Sequence, residues 1–232
     1  MIVLVTGGTR GIGAAMVKAL KDAGHIVAVV ARHERNIASA DCFIQADLSK
    51  VYERHGIIDR VVAQLGGLDI LVNNAGEQHH ARFAEYFGLD WDRQIDLLLT
   101  APFDLSQQAA KYMMRHGGGQ IINVLSTSAF QGARNIAGYV AAKHGLLGLT
   151  RAMAVELAPL IRVNSISPGL TETDMTSEYI TPERRTFLES ITPAGRFGKP
   201  EDIAKALMYL ISSEFVYGQT IVVDGGWLVK NG

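Results

Sequence analysis

The chain has 232 residues, 48% hydrophobic and 19% charged, with a formal net charge of −1 and a mean hydropathy of +0.13. That is enough apolar material for one large core, and it leaves no basic stripe for nucleic acid. No apolar run approaches the roughly 18 residues of a membrane span, and one cysteine, Cys42, excludes an internal disulfide.

MIVLVT (1–6) is a short apolar run bounded by glycine, which reads as a buried strand rather than a signal peptide, so a cytoplasmic protein is expected. It feeds into GGTRGIG (7–13) and then the helical pattern AAMVKALKDAG (14–24). Strand, glycine loop and helix form an arrangement that binds phosphate. Gly7 permits the tight turn, Gly11 lets backbone N–H groups approach a pyrophosphate, and Gly13 allows close helix packing at a partially positive helix N-terminus. The spacing Gly7-x3-Gly11-x-Gly13 differs from GxGxxG. Glycines alone are equally compatible with a structural turn; their place after the first strand favours cofactor binding.

Further along, strands are expected at HIVAVVAR (25–32), CFIQAD (42–47), DILVNNAG (69–76), QIINVLS (120–126), IRVNSISPG (161–169) and QTIVVDGG (219–226). Helical patterns lie between them: VYERHGIIDRVVAQLG (51–66), a long region from Asp90 to Arg115, a helix carrying Tyr139 to about Ala158, and EDIAKALMYLIS (201–212). Near-continuous apolar strands separated by helices predict a parallel sheet covered on both faces, doubly wound, with a ligand at the carboxyl ends of the strands. Repeats and linkers are absent from the sequence, so a single domain over 1–232 is expected. Polar and helical signals mix from Thr171 to Thr192, interrupted by Pro182, and this stretch reads as a substrate loop or lid.

In GYVAAKHG, Tyr139 and Lys143 stand four residues apart, so a phenol and an ammonium share one helix face. A charge about 5 Å from the phenol, at an effective dielectric of about 20, is worth roughly 3 kcal/mol, and predicts a tyrosine pKa lowered by about two units. Ser126 lies thirteen residues upstream. A lone pair of this kind is usually an ordinary helix surface; the accompanying motifs change that.

TGGTRGIG (6–13), NNAG (73–76), Ser126, YVAAK (139–143), SPGLTET (167–173) and the closing GQTIVVDGG together resemble the short-chain dehydrogenase/reductase family, in order and across nearly the whole chain. The resemblance implies a doubly wound Rossmann-type fold of about seven parallel strands with helices on both faces, a nicotinamide dinucleotide, and carbonyl–alcohol interconversion by hydride transfer. By the same resemblance Tyr139 is the general acid/base, Ser126 binds the substrate oxygen, and Lys143 tunes Tyr139 and binds nicotinamide ribose. Gly7, Thr9, Arg10, Gly11, Ile12, Gly13, Ala75 and Gly76 match cofactor positions. Asn73 matches the residue that braces the sheet and flanks the adenosine ribose. Asp47 and Leu48 match the pair beside adenine, and Pro168, Gly169, Thr171 and Thr173 the segment around the nicotinamide carboxamide. Asp224 reads as a structural turn carboxylate.

NAD-selective members carry an acid at the end of the second strand. Ala31 stands there, followed by Arg32, which with Arg10 would meet a 2′-phosphate, so NADP(H) is favoured over NAD(H). One position departs from the family: an asparagine expected 28 residues before Ser126 is Leu98. Either backbone carbonyls hold the relay water, the proton leaves by another route, or turnover is lost; an active enzyme with a modified relay is expected.

Candidate substrate walls are Glu77, Gln78, His79, His80, Phe130, Gln131, Arg134 and the 174–192 segment, and the two histidines lack metal-ligand spacing. A free small-molecule ketone or alcohol is the expected substrate. A 3-oxoacyl thioester is the alternative, weakened because the basic positions that meet a carrier protein fall on Gly117 and Leu160, with Lys111, Arg115 and Arg162 nearby. A non-catalytic NADP-sensing module is the other alternative, and it has no need of Ser126, Tyr139 and Lys143 together. Apolar excess at Leu97, Leu99, Leu146, Leu149 and Met153 predicts a homodimer or homotetramer, with neither nucleic acid nor membrane as partner.

Overall fold

The first strand is buried from Val3 to Thr6, because helices cover the sheet on both sides. A computed structural model, describing residues 1–34 and 40–231, places it as β1 (Ile2–Thr6) in a seven-stranded sheet. β2 (Ile26–Ala31), β3 (Cys42–Gln45), β4 (Ile70–Asn73), β5 (Gly119–Val124), β6 (Ile161–Pro168) and β7 (Thr220–Val223) complete it in the order β3-β2-β1-β4-β5-β6-β7. Every pairing is parallel. This is the expected doubly wound, Rossmann-type α/β fold.

Side chains alternate along each strand, so one strand feeds two cores. Val3 and Val5 of β1 join Val27 and Val29 against Met16 and Leu20 of α1 (Gly11–Asp22) and Leu207 and Leu210 of α9 (Pro200–Ser212). Leu4, Ala28 and Val30 face the other way. They meet Ile58 and Val61 of α3 (Ile57–Leu65), which follows the short α2 (Val51–Arg54), and Leu105 and Met113 of α5 (Ala101–Met113). β1 lies between β2 and β4, the point where the strand order reverses, and a crevice opens there at the carboxyl ends.

Two expected elements differ in detail. The long helix is α4 (Gly88–Ile95) and α5 joined by a π turn at Asp96–Thr100, with the Ala101 N–H donating to the Asp96 carbonyl. The 171–192 stretch folds into α7 (Asp174–Tyr179) and α8 (Pro182–Ser190), capped by the hydroxyls of Thr173 and Thr181. α6 (Ala137–Leu157) packs beside the π turn. Leu97 and Leu146, taken from the sequence as excess apolar surface, are buried within the chain itself. Phe103 on α5 and Val155 on α6 are exposed instead. Among the described residues no helix is long and apolar enough to cross a membrane.

Candidate active site

The glycine loop is built for close approach. Gly7 has φ +66°, and a Cβ there would lie 2.9 Å from the Ala75 Cα; one on Gly13 would lie 2.2 Å from the Gly7 carbonyl oxygen. Only glycine fits at either place. α1 opens directly behind the loop, with Arg10 extended, no side-chain cap and no acid in its first turn. Its orphan N–H groups and partial positive charge therefore face the crevice, which fits a dinucleotide pyrophosphate.

The NNAG turn is fastened to this loop by a residue the sequence reading passed over. Asn74 donates from its backbone to Thr6 Oγ1 at 2.8 Å and from Nδ2 to the Thr6 carbonyl at 2.9 Å. Asn73, expected beside the ribose, points the other way. Its Nδ2 donates to Asn123 Oδ1 at 2.9 Å and Ser106 Oγ at 3.1 Å, deep in the protein. Asn123 in turn donates to Thr150 Oγ1 at 2.9 Å. The bracing role expected of Asn73 has a geometric counterpart, but its place as a cofactor contact does not, because side chains alternate across the sheet and Asn73 ends β4 on the inner side.

Ser126 follows β5, where its Oγ accepts from the Ser128 N–H at 3.1 Å and caps a short 3-10 turn. Tyr139 is the third residue of α6, half-buried, within hydrogen-bonding reach of Ser126. Lys143, one turn later, is 4% exposed and donates to the Val124 carbonyl at 2.7 Å, with its Nζ 5.6 Å from the centre of the Tyr139 ring. Burial pushes the Tyr139 phenol above its ordinary range, against the opposing pull of the Ser126 hydrogen bond. Burial also lowers Lys143 to about 8. The expected lowering of the tyrosine is thus reversed here, since desolvation of the ionised phenol outweighs the Ser126 hydrogen bond that favours it.

One crevice of about 500 Å³ gathers every nominated catalytic and cofactor position except Asn73: the glycine loop, Arg32, Asp47 and Leu48, Ala75 and Gly76, the Ser126–Tyr139–Lys143 trio, and the 168–173 segment. Trp227 also lines it, and its only sequence signal is an aromatic side chain just after the final glycine pair. Of the expected substrate walls, Gln78, Gln131 and the start of the 174–192 segment, Asp174 to Thr176, line the crevice, whereas Glu77, His79, His80, Phe130 and Arg134 do not. His79 lies 3.4 Å from Asp90, and His80 stacks on Tyr179 with centroids 4.0 Å apart. The Tyr179 hydroxyl donates to the Gln78 carbonyl at 3.3 Å, which fastens α7 over the opening.

Charges at the far end are paired. Arg32 lies 3.2 Å from Glu77, whose carboxylate also receives Arg93 at 2.5 Å, and Arg10 lies 3.6 Å from Asp174. Burial would raise Asp47, but Ser49 hydrogen bonds together with Arg93 and Arg32 hold it below the usual carboxylate value. Leu98 is fully buried in the π turn and packs beside Gly76, where an added Cβ would meet it at 3.1 Å. No group of three or more metal-ligating side chains occurs among the described residues.

A family model described as enoyl-(acyl carrier protein) reductase matches residues 7–228. The 2-dehydro-3-deoxy-D-gluconate 5-dehydrogenase of Escherichia coli (strain K12) is 39% identical over 243 residues, covering 99% of this chain and 96% of the relative. A 3-oxoacyl-(acyl-carrier-protein) reductase of Staphylococcus aureus is 38% identical over 237 residues, with 96% of each chain covered. A gluconate 5-dehydrogenase from Burkholderia cenocepacia J2315, solved in complex with NADP and tartrate, matches with a TM-score of 0.92 at 31% identity over 98% of this chain and 95% of that one.

Proposed function

The chain belongs to the short-chain dehydrogenase/reductase family, and from that membership we propose that it is an NADPH-dependent reductase of a small, free, hydroxylated ketone. The coarser activity, NAD(P)-dependent interconversion of an alcohol and a ketone, comes with the family and its relatives. The observation that carries the reading is the convergence of Ser126, Tyr139 and Lys143 in the same crevice as an uncapped helix N-terminus behind a glycine loop.

A bound nicotinamide dinucleotide supplies the hydride. The chain's own residues handle position and proton. Ser126 and Tyr139 hold the substrate oxygen between two hydroxyls, and the raised phenol keeps its proton at neutral pH, ready to donate as the oxygen gains charge. Lys143, anchored on Val124, places a positive charge below the phenol and favours the phenolate that donation leaves behind. Leu98 cannot hold a relay water through its side chain. The π turn at Asp96–Thr100 adds a residue to the helix and shifts its carbonyl ladder out of register, which supports the reading that main-chain carbonyls, rather than a side chain, serve the relay at this position.

Substrate and cofactor choice rest on different supports. The E. coli and B. cenocepacia relatives are named for sugar acids, and the latter structure holds tartrate, which favours a polyhydroxy acid over a thioester. Arg32 without an acid at Ala31 favours NADPH, as does NADP in that relative. Exposed Phe103 and Val155 on α5 and α6 support a two-fold oligomer. The test is loss of NADPH absorbance against a panel of keto sugar acids, simple ketones and 3-oxoacyl thioesters, repeated with Tyr139→Phe. Tight NADPH binding without turnover of any ketone would remove the enzyme reading and leave the sensor.

A further inference from the structure

Arg54 is 1% exposed, the bulkiest fully buried side chain among the described residues, and the chemistry above makes no use of it. Burying a guanidinium is costly unless its donors are met. Here Nε donates to the Leu48 carbonyl at 2.8 Å, Nη1 to Asp104 at 2.7 Å, and Nη2 to Asp96 at 2.9 Å and the Ser49 carbonyl at 3.4 Å. Gln108 returns a bond to the Arg54 main-chain carbonyl at 3.2 Å. A single planar fork therefore ties together the loop after β3, the first residue of the π turn, and α5.

Two of those three segments border the crevice. Leu48 lines it, and so does Leu97, next in chain to Asp96; Leu98 then packs on Gly76, which lines it as well. A buried ion pair adds little net stability over apolar packing of the same volume, but it fixes geometry. What Arg54 fixes is the separation between the Leu48 wall and the Leu97–Gly76 wall.

We propose that Arg54 is a positioning residue for the adenine end of the dinucleotide groove, setting that separation through the Leu48 carbonyl and the Asp96 carboxylate. The inference rests on the cofactor reading given above, with Asp47 and Leu48 at the adenine end. Lysine cannot replace the fork, because one ammonium cannot meet Leu48, Asp96 and Asp104 with fixed in-plane donors.

The experiment compares the full chain with Arg54→Lys and Asp96→Asn. Adenosine 2′,5′-bisphosphate and AMP probe one end of the groove, nicotinamide mononucleotide probes the other, and steady-state kinetics follow with both dinucleotides. Arg54→Lys is expected to weaken the adenosine probes about tenfold and to raise the dinucleotide KM by a similar factor, while nicotinamide mononucleotide affinity and kcat at saturation move less than about twofold. Asp96→Asn keeps the arginine and loosens one arm, so the same probes weaken by about twofold to fivefold. Unchanged adenosine affinity in both variants, or equal loss at both ends of the groove, overturns the proposal. Should Arg54→Lys fail to fold, Asp96→Asn decides alone, and an unchanged affinity there overturns it. A wild-type chain that binds no adenosine nucleotide sinks the cofactor reading too, whereas tight wild-type binding with unaltered variants sinks only the role of Arg54.

Discussion

Lys143 donates its hydrogen bond to the carbonyl of Val124, at 2.7 Å, from a side chain only 4% exposed. The folded protein releases this proton near pH 8 rather than the ordinary 10.5. Stability is therefore reduced by about 3 kcal/mol at every pH below about 8, and is regained as pH rises to about 10.5 and the unfolded chain loses the proton as well. Lys143→Met removes the buried charge. Its unfolding free energy at pH 7 should exceed that of wild type by about 1–3 kcal/mol, the lost Val124 bond offsetting part of the gain, while turnover collapses. Urea melts at pH 7 and pH 10 check this. A variant no more stable than wild type at pH 7 would contradict the desolvation argument.

Because burial raises Tyr139, its neutral form persists upward in pH, and the two reaction directions should respond differently. Ketone reduction needs the phenol as donor and should run at neutral pH; alcohol oxidation needs the phenolate and should keep climbing into the alkaline range. Tyr139→Phe should lower reductive kcat by about 10²–10⁴-fold with dinucleotide affinity within about threefold. Pre-steady-state pH profiles in both directions, with fluorescence titration of the cofactor, make the comparison. Oxidation that is flat from pH 7 to pH 10 counts against a raised phenol.

Arg32 is shared between the crevice and Glu77, 3.2 Å away. Arg32→Asp replaces a phosphate partner by a repelling charge, and the ratio of kcat/KM for NADPH to that for NADH should drop by about 100-fold or more. Glu77→Gln frees the guanidinium and should move the ratio the opposite way by a few-fold. Steady-state kinetics with both dinucleotides decide, and shifts of the same sign in both variants would contradict the argument.

Leu98 is completely buried, so restoring the family asparagine is not a simple gain. Leu98→Asn loses apolar burial and places an amide beside Gly76, and should cost about 2–4 kcal/mol without raising turnover. Thermal melts and kcat measured together test it; a stable variant with faster turnover would show that the side chain, and not the π-turn backbone, governs the relay.

Much of this was readable from the chain because the informative signals are local. A strand followed by Gly7, Gly11 and Gly13 fixes a phosphate loop through short-range sterics, and Tyr139 with Lys143 needs only helix periodicity to share a face. The sign of the Tyr139 shift was not readable, since it depends on how much protein surrounds the phenol rather than on the spacing to Lys143. Asn73 and Asn74 are adjacent in sequence yet face opposite ways, and strand alternation at the end of β4 was the available clue. The helices of the 171–192 stretch were announced by Thr173 and by Thr181-Pro182, both ordinary helix starts, but polar composition masked them. Trp227 enters the crevice only because the chain's end folds back beside it, and Arg54 reaches Asp96 and Asp104 more than forty residues away, neither of which a window of sequence contains.

The string of amides and hydroxyls from Asn73 through Asn123 to Thr150 runs straight across the hydrophobic interior and welds β4, β5 and α6 into a single block. Hinging the nucleotide half of the molecule against the catalytic helix would tear it inside a dry core, where each orphaned amide costs about 1–3 kcal/mol. α7 and α8 stand outside that block, joined to it by the Tyr179 hydroxyl on Gln78 at 3.3 Å, the His80–Tyr179 stack and the Arg10–Asp174 pair at 3.6 Å, so a rearrangement at the mouth of the crevice would break exposed contacts and leave the interior string intact.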